Sequence, residues 1–376
     1  MHRGIWRTHS LKSPSSPKNY HGRTSLWRRP ERIRADGRAA PGILLMSTPP
    51  ALNSLLNEHF PPGTVAVPLK GDASTRRFFR LTAPGDPSSV LMLYPHVFDW
   101  EGFPLKGNHE HLEHVGVPVP KIERVFPEYG AILLEDLGDT TLQLALLCDP
   151  SIDRPALYRE AIDIIILLQE SGTRELPPHA AARRVALDEA KLLWELDHFY
   201  KHFVLGYQGV RPAPSEEAGF KSFFQWLAAS LDSAKRVLCH RDFQSRNLMI
   251  TPGGLRVIDY QDARLGPASY DLASLLRDSS LDLDQDLREE GIRYFLARRR
   301  DLSPEEFKAE FARMALQRNI KDLGTFGYQV AHLGNAEYRG YIPRTVRMAR
   351  SAMLTDQRYH TIFSLFEKYV FSPEGG

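Results

Sequence analysis

The amino-acid sequence predicts an α+β fold in which a small antiparallel β lobe precedes a larger helical lobe. Between residues 64 and 134, short apolar and β-branched runs alternate with turn sequences rich in glycine and proline. After residue 138, apolar residues recur at helical spacing in several long segments. Short strand-like runs at 236–258, folded around a Pro-Gly-Gly turn, interrupt these helices.

The individual elements follow from the same patterns, because each run is bounded by a turn or a glycine. The β lobe is predicted to contain strands at 65–69, 77–81, 89–94, 118–125 and 131–134, and a helix at 107–115. The second lobe is predicted to contain helices at 155–171, 188–206, 215–234 and from 268 onward, and strands at 236–239, 248–251 and 255–258. The expected organisation is therefore an N-lobe at 46–134, a hinge at 135–138 and a helical C-lobe at 139–376.

Composition places the chain among ordinary globular proteins. Its 376 residues are 42% hydrophobic and 25% charged, which excludes collagen-like, disordered and disulfide-stapled chains. No apolar run approaches the roughly 20 residues needed to cross a bilayer. Cys148 and Cys239 provide neither a metal-binding spacing nor a disulfide framework. We therefore expect a monomer in a reducing compartment, the cytoplasm, without a membrane partner.

Basic residues are concentrated at the N-terminus. Residues 1–45 contain ten Lys or Arg and two Asp or Glu, so the total charge of +2 leaves −6 for residues 46–376. A segment this rich in Ser, Pro, Arg and Gly is typical of disorder. It is interpreted as a basic disordered tail, as an arm for RNA or membrane, or as upstream sequence from a mis-called start. A chain beginning at Met46 is expected to fold and to keep full activity, and no nucleic acid is expected to bind the folded part.

The strongest functional signal is the run HRDFQSRN at 240–247, which follows a predicted strand. His240, Asp242 and Asn247 form the pattern H-x-D-x-x-x-x-N, and Asp259 follows at the end of a later apolar strand. This order of side chains suits phosphoryl transfer. Asp242 would orient or deprotonate an attacking hydroxyl, while Asn247 and Asp259 would hold Mg²⁺ from two sides of one hairpin. The alternative is a polar loop whose Asp and Asn cap turns.

Several segments in order over residues 64–360 resemble the aminoglycoside phosphotransferase/choline kinase family, relatives of protein kinases. They are ILLEDLG at 132–138, VLCHRD at 237–242, IDYQD at 258–262 and GPASYDLA at 266–273. The resemblance implies a protein-kinase-like bilobal fold, ATP and Mg²⁺ as cofactors, and a small-molecule acceptor. It also implies roles for individual residues: catalysis by Asp242, metal binding by Asn247 and Asp259, support of the catalytic loop by His240 and Asp271, and adenine binding at the hinge residues Glu135 and Leu137.

The run GDASTRRFFR at 71–80, together with HRDFQSRN, is similar to a narrower group, the anomeric kinases of N-acetylmuramate and N-acetylglucosamine in cell-wall recycling. This similarity implies transfer of the γ-phosphoryl group of ATP to the anomeric hydroxyl of an amino sugar. The small residues of the turn can bring backbone N–H groups close to phosphate oxygens, although an ordinary hairpin is the alternative. The candidate nucleotide-binding residues in this turn are Gly71, Asp72, Ala73, Ser74 and Thr75.

The third predicted strand departs from the kinase pattern. Protein kinases hold the nucleotide phosphates with a lysine on this strand, whereas the sequence here reads VLMLY at 90–94. Either another cation substitutes, or magnesium and the backbone balance the charge. Glu110 is the candidate for the glutamate that pairs with such a lysine. The candidate cations are Lys70, Arg76, Arg77, Arg80 and Lys106.

Acceptor-binding residues are less clearly indicated. In the helix at 188–206, Trp194 is predicted to lie in the core because of its helical spacing with other aromatic residues. Glu195 and Asp197 lie off that stripe and are candidates to bind sugar hydroxyls, with solvated helix carboxylates as the alternative. Arg246 is a further candidate for contact with substrate or phosphate, with a surface role as its alternative.

Together these observations predict an ATP-dependent kinase of a small molecule that carries a hydroxyl. Three alternatives remain at this stage. One is a kinase for an aminoglycoside, choline or another amine-bearing acceptor. Another is a nucleotide-binding module without transfer activity. The third is a nucleic-acid-binding role through the basic segment 1–45.

Overall fold

The computed structural model describes residues 50–69, 76–178 and 180–372. The candidate nucleotide-binding residues Gly71, Asp72, Ala73, Ser74 and Thr75 lie outside the described residues, as do Lys70 and the basic segment 1–45. Within the described part, residues from Ala51 onward form one compact unit. The lobe boundaries at 134 and 138 stay predictions.

A five-stranded antiparallel sheet makes up the first part of this unit, in the order β1-β2-β3-β5-β4. Burial alternates along β2, as expected for a strand with one face on a core, whereas Leu91, Met92 and Leu93 of β3 are all buried, so that both faces of β3 are covered. Phe79 and Leu91 are buried against the first helix, whereas Met92 and Ile132 join the core of the larger part. The elements are α1 (Pro50–His59), β1 (Val65–Leu69), β2 (Arg77–Thr82), β3 (Ser89–Leu93), α2 (Pro104–His114), β4 (Ile122–Phe126) and β5 (Ala131–Glu135).

The rest of the unit is mainly helical and is organised around the 28-residue helix α10. Helix α6 continues into a π-helical segment, Tyr200–Tyr207, and both pack on α10 at its glycines. A Cβ atom on Gly324 would lie 2.7 Å from Cα of Phe199, which explains why glycine is needed at this crossing. The helices are α3 (Leu142–Cys148), α4 (Arg154–Arg174), α5 (Ala181–Arg184), α6 (Glu189–Phe199), α7 (Pro214–Asp232), α8 (Tyr270–Leu276), α9 (Gln285–Arg298), α10 (Pro304–Ala331), α11 (Ile342–Leu354) and α12 (His360–Phe366).

Two short β pairs lie within the helical part. Strand β6 (Arg236–Cys239) pairs with β9 (Arg264–Pro267), and β7 (Leu248–Thr251) pairs with β8 (Gly254–Val257). The sequence predicted the β7–β8 hairpin but not β9, because a four-residue strand that contains glycine and proline has little local signal. None of the described helices is long and apolar enough to span a membrane. The predicted α+β class is confirmed, and the loops around these β pairs carry the candidate site.

Candidate active site

The loop between β6 and β7 contains Asp242 and is anchored by hydrogen bonds to Asp271. Asp271 is completely buried in the first turn of α8. Its carboxylate accepts the backbone N–H of His240 at 2.6 Å and of Arg241 at 3.0 Å. Arg241 has φ +86°, a backbone region that costs free energy for any residue except glycine and persists only where the surroundings enforce it. The two hydrogen bonds support the predicted role of Asp271 as the anchor of this loop.

A second aspartate, which the sequence analysis did not identify, anchors the other end of the loop. Asp278 is 5% exposed and accepts both the backbone N–H and the hydroxyl of Ser245, at 2.9 and 2.6 Å. Asp278 lies two residues after the end of α8, so the two anchors flank one short helix, Asp271 in its first turn and Asp278 just beyond its end. No local pattern in the sequence indicates this contact, because Asp278 lies in the turn after α8 and contacts a loop 33 residues earlier in the chain.

Hydrogen bonds bring Asn247 and the start of the Asp259 segment to the same loop. The Asn247 side-chain Nδ2 donates to the backbone carbonyl of Asp242 at 2.8 Å, which leaves the amide oxygen of Asn247 available. The Ile258 N–H donates to the Asn247 carbonyl at 3.0 Å, and the His240 ring bonds to the Ile258 carbonyl at 3.0 Å. Asp242, Asn247 and Asp259 are therefore tied into one network around the β7–β8 hairpin.

Asp259 has an unusual backbone and a partly exposed carboxylate. Its φ of +67° turns the chain sharply after β8, and its side chain is 38% exposed. One carboxylate oxygen, Oδ1, accepts from Arg76 at 2.8 Å and from Gln261 at 2.9 Å. The other, Oδ2, accepts no hydrogen bond from the described residues, so it remains open toward a ligand.

Arg76 is the candidate cation that reaches Asp259. It lies immediately before β2, and its guanidinium Nη1 is 3.9 Å from Sδ of Met92, on the third strand where protein kinases have lysine. The other described candidates have different partners: Arg77 lies over the ring of Phe79, Arg80 pairs with Asp136 and Asp139, and Lys106 pairs with Glu101.

Helix α2 contacts the Asp259 segment, although not through Glu110. The Asn108 side chain donates to the Gln261 carbonyl at 2.9 Å, and the His109 ring is hydrogen-bonded to the Tyr260 hydroxyl at 2.9 Å. The Glu110 side chain is 62% exposed and lies 3.8 Å from Lys106. The described residues thus position this segment by Asn108 and His109 rather than by a lysine–glutamate pair.

Two cations from α10 face Asp242, and the sequence analysis missed both. Lys321 Nζ lies 3.1 Å, and Arg318 Nη1 3.7 Å, from Oδ1 of Asp242. Burial alone would raise the pKa of Asp242, but attraction from Lys321, Arg318 and Arg241 outweighs burial and holds that pKa well below its usual value. Asp242 is therefore anionic at neutral pH. An arginine and a lysine three residues apart on an otherwise buried helix were the available signal.

A cleft of about 140 Å³ lies next to these cations. Glu195 lines it and is 2% exposed, with Oε2 accepting from Gln317 at 2.9 Å and Oε1 buried without a partner among the described residues. Trp194 is 55% exposed, so its predicted core position was wrong. The tryptophan instead stacks on His198 at the mouth of the cleft, 5.4 Å between ring centres. The cleft is lined by Trp194, Glu195, His198, Arg241, Lys321 and Thr325.

The remaining predicted site residues lie elsewhere on the same unit. Arg246 donates to the side chain of Gln244 at 2.8 Å. The Glu135 carboxylate accepts from Arg256 at 2.8 Å, which joins the end of β5 to β8. The backbone N–H of Leu137 has no acceptor among the described residues, so it can still donate to a ligand. These contacts leave the predicted roles of Arg246, Glu135 and Leu137 as predictions.

An anionic loop aspartate near an asparagine and a second aspartate that follows a hairpin is an arrangement of the kind that phosphoryl transfer uses. Comparison with known proteins indicates the same class of protein, a phosphotransferase. Residues 65–311 match the model of the phosphotransferase enzyme family. The chain therefore belongs to this family, and it is a kinase.

Individual relatives agree with this assignment. The chain is 30% identical to the N-acetylmuramate/N-acetylglucosamine kinase of Neisseria meningitidis serogroup B, over 80% of this chain and 88% of that protein. It is also 30% identical to the Pseudomonas aeruginosa protein of the same name, over 78% and 85% of the two chains. The crystal structure of a choline kinase from Cryptosporidium parvum shares the fold at 14% identity, with a TM-score of 0.52 over 84% of this chain and 96% of that one. The predicted protein-kinase-like fold is confirmed.

Proposed function

We propose that this protein transfers the γ-phosphoryl group of ATP to the anomeric hydroxyl of an N-acetylated amino sugar, N-acetylmuramate or N-acetylglucosamine. The names of the relatives at 30% identity support the choice of acceptor. The observation that carries the proposal is the cleft beside Asp242, with an exposed tryptophan and a buried carboxylate in its walls. The apolar face of a sugar ring can pack on Trp194, while a hydroxyl or amide N–H can donate to Glu195.

The nucleotide side of the proposal rests on oxygen donors. The amide oxygen of Asn247 and the open carboxylate oxygen of Asp259 are hard ligands of the kind that Mg²⁺ prefers. These two residues would hold Mg²⁺, which when bound neutralises charge on the triphosphate. Arg76 would add a positive charge next to Asp259, and the free N–H of Leu137 would bind adenine at the hinge.

The proposed transfer is a direct displacement. The acceptor hydroxyl donates a hydrogen bond to Asp242, and its oxygen forms a bond to the γ-phosphorus while the bond to the β–γ bridging oxygen breaks. ADP leaves with that electron pair, and the hydroxyl proton passes to Asp242 and then to solvent. Because the pKa of Asp242 is well below its usual value, we assign it to orienting the hydroxyl more than to withdrawing its proton before attack.

The charges near Asp242 disfavour the alternative of a cationic acceptor. Lys321, Arg318 and Arg241 lie near the Asp242 carboxylate, and Lys321 and Arg241 also line the cleft. An ammonium group placed there would be repelled by these cations. Choline, or an aminoglycoside, is therefore a weaker candidate than a neutral or anionic sugar. The predicted cytoplasmic location and monomeric state remain predictions.

An acceptor panel tests the proposed function. The protein is incubated with ATP and Mg²⁺ and with N-acetylmuramate, N-acetylglucosamine, choline or an aminoglycoside, and the products are identified by phosphorus NMR. We expect 1-phosphates of the two amino sugars. The methyl glycoside of N-acetylglucosamine is the matched control, because its anomeric hydroxyl is blocked and it should accept no phosphate. Transfer to choline or the aminoglycoside alone, or to the methyl glycoside, would contradict the proposal.

Replacement of Arg76 tests the assignment of the missing third-strand cation. Arg76→Met is expected to lower kcat/KM for ATP by about 10- to 100-fold, the effect of losing one charge-assisted hydrogen bond. Arg77→Met is the matched control, since Arg77 is exposed on the adjacent position and lies over Phe79. Steady-state kinetics with varied ATP measure both variants. Equal losses in the two variants would show that the arginine at 76 has no particular role with the nucleotide.

A further inference from the structure

The side chains in and around the cleft beside Asp242 carry more positive than negative charge. Lys321 pairs with Asp242 at 3.1 Å, and Arg241 and Arg264 share the carboxylate of Asp262, at 2.9 and 3.1 Å. Lys191 adds a fourth cation, and Glu195 in the cleft wall adds a third carboxylate. The remaining positive charge favours a ligand that brings a negative charge of its own.

Lys191, one turn before Glu195 on α6, is the lysine in this group that lacks an anionic partner. No carboxylate of the described residues lies within 4.0 Å of its ammonium. Its Nζ lies instead 3.6 Å from the ring centre of Trp194, close enough for a cation–π interaction that fixes the ammonium beside the cleft. Trp194 lines the cleft, so the Lys191 ammonium lies against the ring of a residue that forms the cleft wall.

The electrostatic surroundings of Lys191 favour an anion at this position. Burial lowers the pKa of Lys191, repulsion from Arg241, Arg264 and Lys321 lowers it further, and Glu195 opposes these effects. A bound carboxylate would compensate for the hydration that the buried ammonium has lost and would offset the repulsion from the other cations. Glu195 itself lies on the wall with one oxygen already bonded to Gln317, so it suits a hydroxyl or amide donor on another edge of the sugar.

We infer that the acceptor site is built to bind a sugar that carries a carboxylate, and that Lys191 binds this group. The inference rests on the proposed function and extends it. Of the two proposed acceptors, N-acetylmuramate has a lactyl ether with a carboxylate where N-acetylglucosamine has a hydroxyl. Lys191 is therefore a residue that selects the anionic sugar over its neutral analogue.

The test compares Lys191→Met with the matched control Lys308→Met, an exposed lysine near the start of α10. The value of kcat/KM is measured for N-acetylmuramate and for N-acetylglucosamine. Lys191→Met is expected to lower kcat/KM for N-acetylmuramate, relative to kcat/KM for N-acetylglucosamine, by about 10- to 100-fold. This is the effect of losing one hydrogen bond between charged groups, and it should appear mainly as a higher KM for N-acetylmuramate. Lys308→Met should keep the wild-type ratio, and Lys191→Arg should restore most of it.

A binding measurement separates this inference from the proposed function. Both sugars are titrated into wild-type protein and Lys191→Met by calorimetry in the presence of ADP and Mg²⁺. Weaker binding of N-acetylmuramate to the variant, with a smaller change for N-acetylglucosamine, supports the inference even if neither sugar is phosphorylated. Equal affinities for N-acetylmuramate in the two proteins, or equal losses for both sugars, would overturn it. Absence of transfer to either sugar would instead reject the proposed function.

Discussion

Asp242→Asn is expected to lower kcat by about 10³-fold, within the range of 10²–10⁴ that a positioned acid–base residue contributes. Asparagine keeps the shape of the side chain but removes the negative charge that orients the hydroxyl and faces Lys321 and Arg318. Without that charge, the two cations would draw the nucleotide phosphates or water toward the position of the acceptor oxygen. The loss should therefore appear in kcat and not only in KM.

The variant should remain folded, because Asp242 is 27% exposed and its backbone carbonyl still accepts from Asn247. Circular dichroism and thermal unfolding test this expectation, and nucleotide binding should persist. Asp286→Asn, at an exposed position in the first turn of α9, is the control and should have wild-type kcat. A kcat within about threefold of wild type in Asp242→Asn would exclude the orienting role.

The residues of the candidate site that lie close together in sequence were predictable. His240, Asp242 and Asn247 share one loop, and Asp259 follows two residues after β8, so short-range spacing alone places them near each other. The β7–β8 hairpin has a Pro-Gly-Gly turn between two apolar runs, which is a strong local signal. Fold class was equally accessible, because the switch from strand-like to helical spacing is a property of whole segments.

Side chains that reach the site from distant elements were not predictable in the same way. Lys321 and Arg318 come from α10, about eighty positions after the loop, and the sequence does not say which face of that helix meets Asp242. The error at Trp194 has a related cause. Helical spacing marks a stripe of large residues as core, but an aromatic residue at the edge of the stripe can instead lie at the mouth of a cleft, as Trp194 does.

On the third strand, the charge that a protein kinase carries on a lysine is absent from the strand itself, but a charged group from elsewhere in the chain lies next to it. Met92 occupies the strand and has no charge, yet the guanidinium of Arg76 lies 3.9 Å from its sulfur. Consecutive residues of an extended chain point to opposite faces, so only one of Arg76 and Arg77 can face Asp259. The structure shows that Arg76 is the one that pairs with Asp259. A positive charge thus lies next to Asp259 although the residue that carries it immediately precedes the neighbouring strand, β2.

Replacement of Asp259 should lower kcat about as strongly as replacement of Asp242, but it should also change the Mg²⁺ concentration that the enzyme requires. Asp259→Asn is expected to lower kcat by about 10²–10³-fold, the consequence of losing an interaction worth several kcal/mol. Asparagine is the informative replacement because it tolerates the φ of +67° at this position nearly as well as aspartate. Alanine would add backbone strain, and its effect could not be assigned to the carboxylate.

The signature that distinguishes Asp259 is its dependence on magnesium. If its carboxylate holds Mg²⁺ together with Asn247, Asp259→Asn should require at least about tenfold more Mg²⁺ for half-maximal activity, because an amide oxygen is a weaker ligand than a carboxylate. The same titration on Asp242→Asn should leave the half-maximal Mg²⁺ concentration near that of wild type, since Asp242 is assigned to the acceptor. Asp86→Asn, in the exposed turn between β2 and β3, serves as the neutral control. An unchanged Mg²⁺ requirement in Asp259→Asn would mean that its carboxylate acts through Arg76 and Gln261 rather than through the metal.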